Sequence, residues 1–330
     1  MITIKEREYW PTNEWKIDSP ESVGIDSEKL RFIDREINVR LNGVNSFLII
    51  KNGYIIYEKY YNNYNQDKIN HVCSVTKTII SALVGIAIDR DLIQDIDQKI
   101  LDFFPNFKPN SSDYLKSKLR IKHLITMTTG LMWMNRGRGH EPMMRRIFRG
   151  KNWVNSILSL PIKDRMFGRF QYSSAVSHLL SAIITKVSNK STQDFAEKFL
   201  FKPIGISNDV NWMKDPQGIN IGGYGLKLKP RDMAKFGFLY INHGIWNSKQ
   251  VIPKEWIQET LTNYVEGYGY HVWVPQIKDF NAFMAAGYGG QFIVGVPKLD
   301  LIIIITSNAE LGRWRDPRYI IDELIYNFFE

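Results

Sequence analysis

Cysteine is almost missing from this chain: Cys73 is the only one in 330 residues. A lone thiol excludes an internal disulfide and fits a reducing compartment. No apolar run reaches the roughly 20 residues that a membrane-spanning helix needs. The opening residues, MITIKEREYWPTNEWKID, are charged and aromatic where a secretory leader would carry an apolar stretch and a small-residue cleavage site. These gaps lead to the expectation of a cytoplasmic protein without a membrane partner. Histidine is sparse, and His71, His123, His140, His178, His243 and His271 show no paired metal-ligand spacing. They read as structural or surface residues, so no metal and no organic cofactor is expected. Repeats and low-complexity segments are also lacking. The formal net charge is +9, yet no nucleic-acid-binding motif or polybasic tail accompanies it, and no nucleic-acid partner is expected.

What is present is enough apolar mass for a large core: 44% of the residues are hydrophobic, which suits one large or two intertwined domains. Ser27 or Asp26 can cap a helix running through Leu30, Ile33 and Ile37. SFLIIK and YIIYEKYY, joined by Asn52-Gly53, predict a hairpin with a type I′ turn. YGYHVWV, QFIVGV and LDLIIIITSN predict further strands near the C-terminus, the last covered on both faces. Between these ends the pattern is almost all helix and loop. A helix is predicted over Lys118 to Leu131, irregular basic chain over Met132 to Gly150, and a strongly apolar helix after Tyr172. The fold class expected is α/β (α+β): an antiparallel sheet built from both chain ends and flanked by helices, with an inserted all-helical domain. The boundaries are 1–117 and 202–330 for the mixed domain and 118–201 for the helical one.

The chemistry-bearing stretch is HVCSVTKTIISALVGIAIDR, residues 71–90. Ser74 and Lys77 form a Ser-x-x-Lys pair at the head of an apolar run that reads as a buried helix. Three residues apart, they share one helix face. A lysine in a dry site can lose its proton and act as base for the serine; a capping serine and a surface lysine would leave the same sequence. Cys73 next to them reads as a small buried filler, no neighbour being placed to activate it. Tyr172-Ser173-Ser174 and Ala286-Gly287-Tyr288-Gly289-Gly290-Gln291 supply a phenol and a glycine-rich strand edge that a ligand can approach.

In order and spacing, these motifs resemble the serine hydrolases of the class C β-lactamase and penicillin-binding-protein superfamily. The resemblance runs from about Ser46 to Asn308. Ser74-Val75-Thr76-Lys77 is similar to the family's Ser-x-x-Lys, and Tyr172-Ser173-Ser174 to its Tyr-x-Asn/Ser. Ala285-Ala286-Gly287 stands where Lys-Thr-Gly or His-Thr-Gly is usual. HLITMTTGL (123–131), FKPIGI (201–206) and GLKLKPRDMAKFGFLYINHGIW (225–246) agree with it. The resemblance implies Ser74 as the nucleophile that forms an acyl-enzyme. Lys77 and Tyr172 would be its proton-transfer partners, and the backbone N–H groups of Ser74 and Tyr288 the oxyanion hole. It places Ser174 and Gly287 against the substrate. Trp133 and Arg136, from the basic loop Met132 to Lys151, are further substrate-binding candidates, with packing and solvated surface as the alternatives.

Ala285 departs from the family pattern, because the basic residue at that position receives a substrate carboxylate in β-lactamases and D-Ala-D-Ala peptidases. The Ala-Gly-Tyr-Gly-Gly-Gln version looks more like the esterase and 6-aminohexanoate-dimer hydrolase branch. The expected function is therefore hydrolysis of a small-molecule carboxylic ester or amide. A β-lactamase or D-alanyl-D-alanine carboxypeptidase is the alternative enzyme, and an idle relative used for binding or assembly the alternative class. The sequence leaves the oligomeric state open.

Overall fold

Two β-branched runs from opposite ends of the chain lie side by side at the centre of the sheet. The structure, a computed structural model, describes residues 6–110, 113–134, 141–206, 210–308 and 316–328. Its main sheet holds β1 (Val44–Lys51), β2 (Tyr54–Tyr60), β3 (Phe283–Gly287), β4 (Gln291–Val296) and β5 (Leu301–Ser307). The spatial order is β3-β4-β5-β1-β2, with every neighbouring pair antiparallel. The hairpin turn has Asn52 at φ 55° and Gly53 at φ 89°, the left-handed pair that a two-residue I′ turn requires. Phe47 faces Ile305 and Ile49 faces Ile303 across the β1–β5 ladder.

The helices, in chain order, are α1 (Ser27–Arg40), α2 (Val75–Asp89), α3 (Ile121–Ile125), α4 (Pro142–Phe148) and α5 (Trp153–Leu158), then α6 (Ser174–Ser188), α7 (Thr192–Ala196), α8 (Pro230–Ile241), α9 (Lys254–Thr260) and α10 (Arg318–Phe328). Asp26 caps α1, its carboxylate accepting from Glu28 N at 2.9 Å. Alternation along the strands splits the core in two. Phe47, Ile49, Ile303 and Ile305 pack with Ile33 and Ile37 of α1 and Ile320 and Leu324 of α10. Leu48, Ile50, Ile302 and Ile304 face the opposite layer, with Phe236 and Leu239 of α8 and Ile79 and Leu83 of α2. Every residue from Val75 to Ala87 is buried, because α2 lies between the sheet on one side and α6 on the other. No helix among the described residues is long and apolar enough to cross a membrane.

The expectations fail where backbone geometry overrides pattern. The helix predicted over 118–131 shrinks to α3, since Met127 at φ 60° and Gly130 at φ 65° turn the chain left-handed. The stretch predicted irregular over 132–150 contains α4. YGYHVWV forms no strand: His271 has φ 58°, and only single bridges link Tyr268 to Trp273 and Trp273 to Met284. Its aromatic residues pack on one another instead, Tyr268 against Trp273 with centroids 4.8 Å apart.

His271 in that turn ties several elements together. Its Nδ1–H donates to the Ile125 carbonyl at 2.8 Å, which leaves Nε2 to accept from the Ser177 hydroxyl at 2.9 Å. Its own carbonyl accepts from Thr78 Oγ1 at 2.8 Å. Burial, the larger cause, together with the neighbouring Lys77 pushes the imidazole pKa from 6.5 down to about 3. The unfolded chain therefore takes up this proton at a higher pH than the folded one. Stability tied to neutral His271 is complete above about pH 6.5 and falls as the pH drops toward 3, by about 1.4 kcal/mol per pH unit. Thermal unfolding should show a Tm decline across that window, and the decline should be shallower in His271→Asn. In the core, Leu83→Ala should cost about 2–5 kcal/mol by urea denaturation, since a fully buried side chain is removed between two packed layers.

Candidate active site

The head of α2 is set by the short strand before it. Asn70–His71 pairs with Leu226–Leu228, and Val72 N bonds Leu226 O at 3.0 Å. Cys73 then turns left-handed at φ 50°, a strained conformation for a residue with a side chain. Thr76 Oγ1 donates to the Cys73 carbonyl at 2.6 Å and holds that turn. The chain so bent presents Ser74 half-buried between two buried neighbours. Burial pushes the Cys73 thiol up to about 12, with Lys77 opposing. Burial thus favours the protonated thiol at Cys73, although, against the sequence expectation, a neighbour does reach it: His71 Nδ1 lies 3.1 Å from its Sγ.

One turn into the helix, Lys77 is wholly buried. Its Nζ lies 3.0 Å from Ser74 Oγ, 2.9 Å from Ser174 Oγ and 2.6 Å from the Gly223 carbonyl oxygen. It also stands 4.9 Å from the centre of the Tyr172 ring. The Gly223 carbonyl reaches Nζ because the backbone there presses on α6. A Cβ at Gly223 would fall 2.7 Å from Ser174 Cβ and 2.8 Å from Ser174 O, so only glycine fits.

Tyr172 precedes α6 and stacks on Trp273, with centroids 6.3 Å apart and planes 13° from parallel; Tyr268 meets it edge-on at 6.2 Å. The third motif closes the other side. A Cβ on Gly287 would lie 2.4 Å from the Val72 carbonyl oxygen and 3.1 Å from Cys73 Cβ, which sets the end of β3 directly against the turn carrying Ser74. Ala285 is buried in the core beside α2, and the side chain of Tyr288 is 45% exposed.

The structure therefore brings Ser74, Lys77, Tyr172, Ser174 and Gly287 together around the head of α2. Trp133 is buried, its indole N–H donating to Glu141 Oε2 at 2.6 Å and its carbonyl accepting from Gln171 Nε2 at 2.6 Å. Arg136 lies outside the described residues. Two members of the site were not anticipated. The Gly223 carbonyl had a faint signal in the Gly222-Gly223 pair. Glu141 is buried, and its carboxylate accepts from Ser174 N and Ser174 Oγ, both at 2.7 Å. Its signal was being the one acid among the bases of residues 132–151.

The beta-lactamase family profile matches residues 40–324. A 6-aminohexanoate-dimer hydrolase from Paenarthrobacter ureafaciens is 20% identical over 318 residues, covering 89% of this chain and 79% of its own. An uncharacterized protein from Alkalihalophilus pseudofirmus is 25% identical over 223 residues, which make up 64% of this chain and 62% of that protein. Among solved structures, EstCE1, described as a hydrolase with promiscuous acyltransferase activity, superposes with a TM-score of 0.75 at 13% identity, over 91% of this chain and 98% of its own. The family match takes in the main sheet, α2 and all the site residues named above: the chain belongs to the beta-lactamase family.

Proposed function

We propose that the protein is a serine hydrolase that cleaves a small carboxylic ester or amide through an acyl-enzyme on Ser74. The observation that carries this reading is the buried amine of Lys77, 3.0 Å from a half-buried hydroxyl. A buried lysine at that distance is a base for the Ser74 proton. As the O–H bond breaks and the proton passes to Nζ, the oxygen attacks the substrate carbonyl. The backbone N–H groups of Ser74 and Tyr288 face the developing oxyanion, aided by the positive end of α2. Tyr172 hands a proton to the leaving alcohol or amine, and later draws one from the water that releases the acid.

The substrate class rests on what surrounds the nucleophile. Ala285 offers no charge to a substrate carboxylate, and its side chain is occupied in core packing. Trp273, stacked on Tyr172, and the exposed Tyr288 give the cleft aromatic edges suited to a neutral acyl or alkyl group. A relative named for hydrolysis of the 6-aminohexanoate dimer is consistent with such a substrate.

Steady-state turnover of p-nitrophenyl esters, short amides and a chromogenic cephalosporin tests the proposal. Ser74→Ala and Lys77→Ala should each lose about 10³-fold or more in kcat, and Tyr172→Phe about 10²-fold. Esters should be turned over faster than the cephalosporin. Ester turnover that survives Ser74→Ala, or cephalosporin turnover exceeding that of the esters, would sink the assignment.

A further inference from the structure

We propose that Glu141 is a positioning residue that aims the lone pair of Lys77 at Ser74, acting through the hydroxyl of Ser174. The proposal rests on the Ser74 hydrolase reading and adds to it a residue outside the three motifs. Glu141 occupies the N-cap position of α4 without a side-chain capping bond, and it is buried. As a carboxylate it can only accept hydrogen bonds. Trp133 Nε1–H and Ser174 N–H both donate to Oε2, at 2.6 Å and 2.7 Å, and Ser174 Oγ lies 2.7 Å from Oε1. The first two donors have no choice of direction. The hydroxyl does, and a carboxylate oxygen at that distance takes its only proton.

The consequence reaches Lys77. With its proton committed to Glu141, Ser174 Oγ can only accept from Nζ, 2.9 Å away. The Gly223 carbonyl, 2.6 Å from Nζ, is likewise an acceptor only. A neutral amine has two N–H groups and one lone pair. Both N–H groups are used by Ser174 and Gly223, so the lone pair is left facing the Ser74 hydroxyl at 3.0 Å. When the proton moves from Ser74 Oγ to Nζ, one O–H bond breaks and one N–H bond forms. The resulting ammonium then has three N–H groups for the same three acceptors. No other hydrogen bond in the set has to change, so little reorganisation accompanies the transfer.

Glu141→Gln reverses this arrangement at nearly constant shape. An amide has a single acceptor oxygen, which the two fixed donors hold at the Oε2 position. Its NH2 then points at Ser174 Oγ, and the serine must turn its proton toward Nζ. The lone pair is taken by Ser174 and lost to Ser74.

The test is the second-order rate at which a fluorophosphonate probe labels Ser74, located by mass spectrometry in the full-length protein. Glu141→Gln should slow labelling about 10²-fold. Glu141→Asp is shorter but keeps an acceptor-only group, and it should label faster than the isosteric glutamine variant. In a Ser174→Ala background the glutamine substitution should change the rate by no more than about twofold, because the hydroxyl through which it acts is gone. Wild-type labelling with an unslowed Glu141→Gln would overturn the inference. So would a Glu141→Gln effect of full size in the Ser174→Ala background, or an aspartate variant slower than the glutamine one; either would give Glu141 a packing role alone. Wild-type protein that takes no label at Ser74 would overturn the hydrolase reading itself, and this inference with it.

Discussion

Burying one lysine amine is the constraint to which the rest of the site answers. An ammonium moved out of water loses hydration worth several kcal/mol unless the protein replaces it. Here the replacements are short and directional: Ser74 Oγ, Ser174 Oγ and the Gly223 carbonyl, all within 3.0 Å of Nζ. None of these three acceptors is charged. The nearest carboxylate in this network, Glu141, stands one hydroxyl away behind Ser174. In the mechanism proposed, this uncharged set of acceptors suits an amine that takes up the Ser74 proton and returns it.

That geometry depends on how closely three pieces of backbone approach one another. The apolar length of α2, buried between the main sheet and α6, keeps Lys77 and Ser74 on a rigid support. The Gly223 segment can touch the first turn of α6 only because no Cβ stands between them. Gly287 does the same where β3 meets the turn before Ser74. Each glycine is thus a contact between chain segments distant in sequence, and Gly223 brings its carbonyl to Nζ of Lys77. The fold shapes the site by placing backbone as much as side chains.

Much of this was legible from residue order. The hairpin followed from Asn52-Gly53, the buried helix from the apolar run after Lys77, and the antiparallel sheet from strand signals at both ends. All three depend on local chemistry or on burial of a long segment, which a single sequence carries directly. The misreadings have a common cause. Residues 118–131 have helical periodicity, but Met127 and Gly130 adopt left-handed backbone; YGYHVWV has strand composition, but its aromatic rings pack on each other around His271. Tertiary packing won over local preference in both. Ser74, Lys77 and Tyr172 could be singled out because motif spacing marks them. Glu141 had only the faint signal of a lone acid in a basic stretch, because its meaning comes from Ser174, 33 residues away.

The proposed mechanism requires that Ser74 carry the acyl group. It is tested most directly by mixing the protein with a p-nitrophenyl ester and following product release together with intact mass on the pre-steady-state timescale. A p-nitrophenol burst should appear, matched by a transient acyl adduct on Ser74 that decays as the acid is released, with neither burst nor adduct in Ser74→Ala. A burst with no adduct on Ser74, or hydrolysis undiminished in Ser74→Ala, would contradict it.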